Sequence, residues 1–501
     1  MTINIGILAA GCIGTALLFL IASRRPTLAL AWWVMLDVVL AEYMLFPGAT
    51  TLHVHVIHLL LAGLLIGFGI GWSPASAPGR LELLMLAFMA WAIVSGFLSG
   101  TIFREAGAES IRVLLTGFVI PVLILYLARS TVQSPATLRT ACGVLNVLLG
   151  YLIVTAFAEH FRITWLVFPQ YILDPTIGIH AEKSRGPVLN GAENGGIMAI
   201  LLVVALHRVR YAFTPSVRWL ATLTLLVTGV PALWFTQERG PWVAFAGGLL
   251  IMLLHEPRRG VVSALAALAV VAIPIILWLH IEVVPQRQGT IDFRMGLYRE
   301  ALTSFEEHPI TGWGTGTFTN ANHLFDARHR STTFSHGVEH DTIVAMATDT
   351  GAIGALLYVS FLLGLFRSLV KLRRSARSPE RRDFIVTCLA VLTIFVINGI
   401  FADARFWMPQ NAIVFFLAGL ALWPDPSRKD TPESPISRYG ESKLVIECAL
   451  PRYSTARHLT FAALPYFNAA GADPDGKIGE DYSPETHLTP LVFDAVLGET
   501  H

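Results

Sequence analysis

Arg185, Arg239 and His340 are the residues of this 501-residue chain whose types suit chemistry on an anion. Two guanidinium groups stay charged at working pH and can fork around phosphate oxygens, where lysine would act only as a point charge. A neutral imidazole, with an unperturbed pKa of ~6.5, can accept a proton near neutrality. Together they suit a phosphorylated lipid headgroup and a hydroxyl that must lose its proton. Three polar stretches carry them. The first is Ser184-Arg185-Gly186-Pro187-Val188-Leu189-Asn190-Gly191-Ala192-Glu193-Asn194-Gly195, and the second is Thr236-Gln237-Glu238-Arg239-Gly240-Pro241-Trp242. In the third, Phe293-Arg294 and Tyr298 lead into Ala301-Leu302-Thr303-Ser304-Phe305-Glu306-Glu307-His308-Pro309-Ile310-Thr311-Gly312-Trp313-Gly314-Thr315-Gly316-Thr317-Phe318. Glu339-His340-Asp341 then opens a helical run into Asp349-Thr350-Gly351-Ala352-Ile353-Gly354.

The elements that must position these stretches are apolar. Hydrophobic residues make up 54% of the chain and charged residues 14%, and mean hydropathy is +0.59, well outside the soluble range. Windows of ~17–25 apolar residues, enough to cross ~30 Å of hydrocarbon as helices, recur up to about Trp423. The expected fold is an all-α polytopic membrane protein with about 13 (12–14) transmembrane helices and a long, partly helical periplasmic loop over about 281–338. Span centres fall near Gly14, Asp37, Leu64, Trp91, Val119, Leu149, Leu201, Val227, Gly248, Val270, Tyr358, Ile394 and Phe416. Residues 1–423 form the transmembrane domain, with the motif-bearing region at 184–354. Residues 424–501 change character, mixing Pro, Ser, Asp, Glu and Lys with short apolar runs. They read as a loosely ordered cytoplasmic tail without assigned chemistry.

Sidedness follows from Lys/Arg bias in the connections. Arg24, Arg25, Arg80, Arg129, Arg139, Arg208, Arg210, Arg218, Arg258 and Arg259 fall in alternate loops, and the strongest loop holds Arg367, Lys371, Arg373, Arg374, Arg377, Arg381 and Arg382. Arg104, Arg112 and Arg405 are exceptions. This count puts the N-terminus outside, the C-terminus inside, and Arg185, Arg239 and His340 on one non-cytoplasmic face. The first apolar segment lacks a basic leader and reads as a true span. Cys12, Cys142 and Cys388 fall within spans and Cys448 in the tail, so no disulfide framework is expected. A net charge of +1 argues against nucleic acid as a partner.

The helix ending in His308-Pro309, the Gly312-x-Gly314-x-Gly316 turn, His340-Asp341 and the Asp349-x-Gly351-x-x-Gly354 helix together resemble the O-antigen ligase and polymerase superfamily of bacterial membrane glycosyltransferases. The resemblance extends back to Arg185-Gly186, with Asn190 or Asn194 following, and to Arg239-Gly240. It covers roughly residues 184–354. Glu238 stands where a small hydroxyl residue is usual, Asp341 where Asn is common, and Asp349 where Glu is common. What the resemblance implies is transfer of a glycan from undecaprenyl diphosphate to a hydroxyl of a glycan, lipid or protein acceptor, at the periplasmic face of the inner membrane. The reaction is expected to be inverting and metal-independent, with no cofactor. Arg185 and Arg239 would hold the diphosphate and His340 would act as base. Arg294, Asn194 and Asp341 are expected to bind substrate, although helix capping suits Asn194 equally well.

Two readings from other classes stand beside it. His336-x-x-Glu339-His340 fits the spacing of one zinc-peptidase group, although Ser335 and Gly337 make a poor helix interior. A lipid-linked sugar transporter or flippase would use external arginines to gather the headgroup, but carriers place charge near mid-membrane. Here the spans are nearly uncharged apart from Asp37, Glu42 and Glu82. His53, His55 and His58 read as interfacial residues, since i and i+2 do not share a helical face.

Overall fold

A computed structural model of the chain describes residues 5–40, 56–71, 79–103, 107–132, 134–255, 288–316, 341–376 and 378–423. All lie in the first of two units, Met1–Asp425; the second is Pro426–His501. The tail reading for 424–501 therefore falls outside the described residues.

The described residues are helical, without a strand among them. In chain order the helices are α1 (Ile5–Arg24), α2 (Pro26–Leu40), α3 (Val56–Gly71), α4 (Arg80–Leu98), α5 (Gly107–Leu114), α6 (Ile120–Thr131), α7 (Pro135–His160), α8 (Gly191–Ala212), α9 (Pro215–Phe235), α10 (Arg239–Leu254), α11 (Gln288–Glu307), α12 (Thr342–Ser375), α13 (Pro379–Phe401) and α14 (Met408–Leu422). A wider π-turn at Leu115–Val119 joins α5 to α6. Among the described residues, seven helices are long and apolar enough to cross a membrane, and five shorter apolar helices accompany them. Twelve of the thirteen expected span centres lie in described elements, while Val270 lies outside the described residues.

Local sequence sets the helix starts. Ser134 accepts from the Thr137 N–H ahead of Pro135, Ser378 accepts from Arg381 ahead of Pro379, and Asn190 and Asp341 cap α8 and α12. Each side chain satisfies donors that have no intrahelical acceptor, and proline at the first turn forfeits none. The apolar windows of α8 and α13 are each 72% buried and that of α9 only 17%, so α8 and α13 are central and α9 peripheral. Packing between α10 and α13 is close because Gly247 and Gly248 leave room for Ile397 and Ile394, the small-residue contact that apolar helices use in lipid.

The two ends of the bundle differ in charge. At one end Arg129 pairs with Glu82 at 2.8 Å, Arg139 with Glu380, and Arg210 with Asp383 at 3.3 Å. These pairs join the ends of α4 and α6, of α7 and α13, and of α8 and α13. Glu82 is thus the partner of an end arginine, not a mid-span charge. The starts of α8, α10, α12 and α14 gather at the opposite end, together with the last turns of α7, α9 and α13.

α11 lies within the loop expected over 281–338. Leu297, Ala301 and Ser304 form its buried face, at helical spacing, while Met295 and Leu302 are exposed. That face packs on α12.

Candidate functional site

At the end where α8 and α10 begin, the first two motif stretches meet. The Ser184 N–H donates to the Phe235 carbonyl at 3.1 Å, and Lys183 Nζ pairs with Glu238 Oε1 at 2.7 Å. Gly191 and Gly195 lie where a Cβ would come within 3.0 Å of the Thr236 carbonyl and 2.8 Å of the Pro241 ring. The turn between α9 and α10 is tight because Gln237 takes φ +52, a conformation that non-glycine residues enter rarely. Arg239 is the first residue of α10 and half-buried. Glu238 adds a negative charge next to Arg239. Its pairing with Lys183 offsets that charge.

Arg185 has a different environment. It is 1% exposed, and four N–H donors of its guanidinium point at the carbonyls of Ile172, Asp174 and Ile177, at 2.5–3.2 Å. Its backbone N–H donates to Glu159 Oε1 and that of Gly186 to Glu159 Oε2, each at 3.2 Å. Tyr171 Oη donates to the Pro187 carbonyl at 2.9 Å. The planar five-donor guanidinium suits several carbonyls at once, and it ties residues 172–177 to the start of the motif. Asn194 is also buried, donating from Nδ2 to the Ser184 carbonyl at 3.3 Å and lying against Gly186. The cap of α8 is Asn190, whose Oδ1 accepts from Ala192 at 2.9 Å and Glu193 at 3.3 Å.

The third stretch reaches the same end of the bundle through α13. The Thr342 hydroxyl donates to the Ala402 carbonyl at 3.2 Å and accepts from the Ala404 N–H at 3.0 Å. A Cβ on Gly240 would lie 2.8 Å from the Cβ of Phe401. The residue after Arg239 and the residue after Asp341 thus pack on the consecutive residues Phe401 and Ala402. Asp341 caps α12 by accepting from Ile343 at 2.8 Å and Val344 at 3.1 Å. Burial raises its carboxyl above the usual range, and the Asp403 charge adds to this, against the lowering effect of the two cap bonds. His340, His336 and Glu339 lie outside the described residues. The backbone of Arg294 belongs to α11, and its side chain lies outside the description.

The glycine motifs build a junction. α12 is kinked at Gly351, which takes φ +67, and a Cβ there would lie 2.1 Å from the Ile310 carbonyl oxygen. Into that kink the 309–316 turn docks through bonds from Trp313 N to Thr348 O (3.0 Å), Gly314 N to Asp349 O (2.7 Å) and Ala352 N to Pro309 O (2.8 Å). α4 closes the junction, with Ser95 Oγ donating to the Thr311 carbonyl at 2.6 Å and Trp91 Nε1 to the Thr350 carbonyl at 2.8 Å. Asp349 accepts from the Gly316 N–H at 2.6 Å and pairs with Arg405 Nη1 at 2.5 Å. Arg405 also binds Asp403 through Nη2 at 2.6 Å and Nε at 2.8 Å. All three charged side chains are buried.

Sequence reasoning noticed Arg405 only as an exception to the charge rule, and that exception was the available signal. A buried cation demands a partner, and Arg405 has two. Arg112, a second exception, lies over the Phe406 ring at 5.8 Å. No cluster of three or more metal-ligating side chains occurs among the described residues.

Residues 224–359 match the family model described as O-Antigen ligase. That match and the apolar helices mark a multi-pass membrane protein. Over part of its length the chain is also similar to UDP-glucose 4-epimerases. The protein of Streptococcus mutans is 49% identical over 73 residues, 15% of this chain and 22% of its own length. That of Halalkalibacterium halodurans is 49% identical over 74 residues, with the same coverage. That of Rhizobium leguminosarum bv. trifolii is 52% identical over 141 residues, 26% of this chain and 39% of its own. The chain spans about a fifth of the length of the first two of these relatives.

Proposed function

We propose, from the premise that residues 224–359 fall within the O-antigen ligase family, that this chain transfers a glycan from undecaprenyl diphosphate to a hydroxyl acceptor at the periplasmic face of the inner membrane. The observation that carries the reading is the meeting of Gly240 and Thr342 on the adjacent residues Phe401 and Ala402, where α13 ends. It brings the Arg239 helix start and the α12 start, which His340 precedes, to one end of the bundle. The Lys/Arg bias of the connections assigns that end to the non-cytoplasmic side, with Arg405 as a buried exception paired to Asp349 and Asp403.

The chemistry needs little more than orientation and charge. The acceptor oxygen attacks the anomeric carbon, the bond from that carbon to the diphosphate oxygen breaks, and configuration inverts. Undecaprenyl diphosphate leaves with the bonding pair. His340 takes the acceptor proton, and Arg239, at the positive end of the α10 dipole, stabilises the charge growing on the leaving group. This scheme uses no metal. In it Arg185 works as a positioning residue. Its guanidinium holds the 172–177 carbonyls, and through them the loop that faces Arg239. Asn194 has a similar part beneath that loop, Asp341 fixes the start of α12, and Arg294 meets the substrate from α11.

Ligation to a lipid or polymerisation of repeats fits this site better than carriage of the lipid across the bilayer. The family match also gives a transporter or zinc-peptidase reading no support. The test is incubation of the purified protein in nanodiscs with an undecaprenyl-diphosphate glycan and, separately, lipid, lipid-linked repeat and peptide acceptors. A ladder of products indicates polymerisation and a single adduct ligation. Wild-type transfer rates in both Arg239→Ala and His340→Ala proteins overturn the assignment.

A further inference from the structure

We propose that residues 161–179 form a strap that lies in the boundary between lipid headgroups and acyl chains and fixes the depth of the Arg185 loop. The segment follows the last turn of α7. Trp165, Phe168 and Phe161 are 81%, 62% and 60% exposed, and Leu166 and Ile179 are exposed beside them. In a water-facing loop such a run would be an unusual apolar patch.

The segment does not expose these groups for want of a core. Val167 and Ile172 turn inward and form a small separate cluster with Ala158 and Leu189. Its polar backbone groups are paired inward as well. Arg185 takes the carbonyls of Ile172, Asp174 and Ile177, Tyr151 Oη donates to the Phe168 carbonyl at 2.6 Å, and Gln170 Nε2 donates to Val167 at 2.7 Å and Thr164 at 3.2 Å. The 161–168 half, with three exposed aromatic rings and paired carbonyls, suits a water-poor surface, where an unpaired carbonyl is costly; the exposed Asp174 and Thr176 belong to the half that leads back to Arg185.

Lipid is the occupant because the patch continues the lipid-facing stripe of α7. Val147, Val154 and Phe161 are exposed at seven-residue spacing along that helix and lead directly into Trp165. At the same level the end of α9 exposes Trp234, which stacks on Trp242 at 4.2 Å, and holds a half-buried Phe235, which stacks on His160 at 3.8 Å. Tryptophan and other aromatics gather at this depth because the ring enters hydrocarbon while its polar edge stays wet. Arg162, exposed next to Phe161, suits lipid phosphates.

The test uses full-length protein in nanodiscs, with a nitroxide placed by Trp165→Cys, by Phe168→Cys or, as an aqueous reference, by Glu182→Cys. These side chains are exposed, so replacement leaves no cavity; the Cys142 and Cys388 thiols are buried, and Cys12 and Cys448 are replaced by serine in every labelled protein. The ratio of oxygen to nickel-chelate collision rates is expected above one at 165 and 168 and below one at 182. A ratio below one at 165 and 168 overturns the proposal. So does protection from both reagents, which would mean a second copy or another protein covers the patch. No step measures glycan transfer, so this outcome and that of the transfer assay are independent.

Discussion

Replacement of Arg405 by methionine tests whether the glycine junction is held by charge. The guanidinium is 3% exposed and the Asp349 and Asp403 side chains 1% each, so the substitution leaves two buried carboxylates without a cation. Loss of one member of such a pair costs about 3–5 kcal/mol, a large part of the ~5–15 kcal/mol that holds a typical protein folded. Asp349→Asn alone is milder. Arg405 keeps Asp403, and the amide oxygen still accepts from Gly316, so a cost of about 1–2 kcal/mol is expected. In the Arg405→Met background the same change removes an uncompensated buried charge, and its sign reverses to stabilising. The assay is thermal and denaturant unfolding of the four proteins of this cycle in one detergent. Equal costs of Asp349→Asn in both backgrounds, within the ~0.5 kcal/mol of independent sites, would refute the reasoning.

Gly351→Ala is expected to lower the melting temperature strongly, because φ +67 strains any side chain and the new Cβ would lie 2.1 Å from the Ile310 carbonyl oxygen; limited proteolysis of residues 309–316 follows the loss of docking. Arg185→Lys should behave almost as Arg185→Ala, since the single ammonium nitrogen cannot span the carbonyls that three guanidinium nitrogens reach, with each buried carbonyl left unpaired costing ~1–3 kcal/mol, read by denaturant unfolding. Asp341→Ala removes a cap worth ~1 kcal/mol, whereas Asp341→Asn keeps it. The Asp341 carboxyl is raised in the folded state, so its stabilising contribution is full below the unfolded value of ~3.9 and is lost as pH rises through the folded value. The melting temperature of Asp341→Asn relative to wild type is therefore expected to increase across that interval and then level off; a flat difference contradicts the raised carboxyl.

Much of the frame was legible because apolar length and charge alternation report directly on burial in lipid. Span centres such as Leu149, Leu201 and Ile394 fall on helices because twenty apolar residues have no other stable form there. The meeting of residues 184–195 with 236–241 was legible as a shared side, from loop charge alone. What the sequence did not disclose are partners distant in the chain. The carbonyls that occupy Arg185 belong to an irregular segment with no periodicity to read, and an arginine beside glycine looks the same whether it meets a phosphate or three backbone oxygens. Asp349 and Arg405 are 56 residues apart, and nothing in either neighbourhood announces the other. The kink at Gly351 was likewise hidden, because a glycine inside a helical pattern reads the same whether the helix bends or runs straight. Capping reads from the sequence as an option for Asn194, whereas Asn190 caps α8, because the cap depends on where the first turn begins, which sequence patterns place only to within a few residues.

The central claim is that Arg239 meets the diphosphate of a lipid-linked donor, and binding tests it without requiring an acceptor. Affinity of a polyprenyl diphosphate for the protein in nanodiscs is measured for wild type, Arg239→Lys and Arg239→Ala. A charge-assisted bond is worth about 1.5–3 kcal/mol, so Arg239→Ala is predicted to bind roughly ten- to a hundred-fold more weakly, with Arg239→Lys between. Equal affinity for all three proteins would contradict the account.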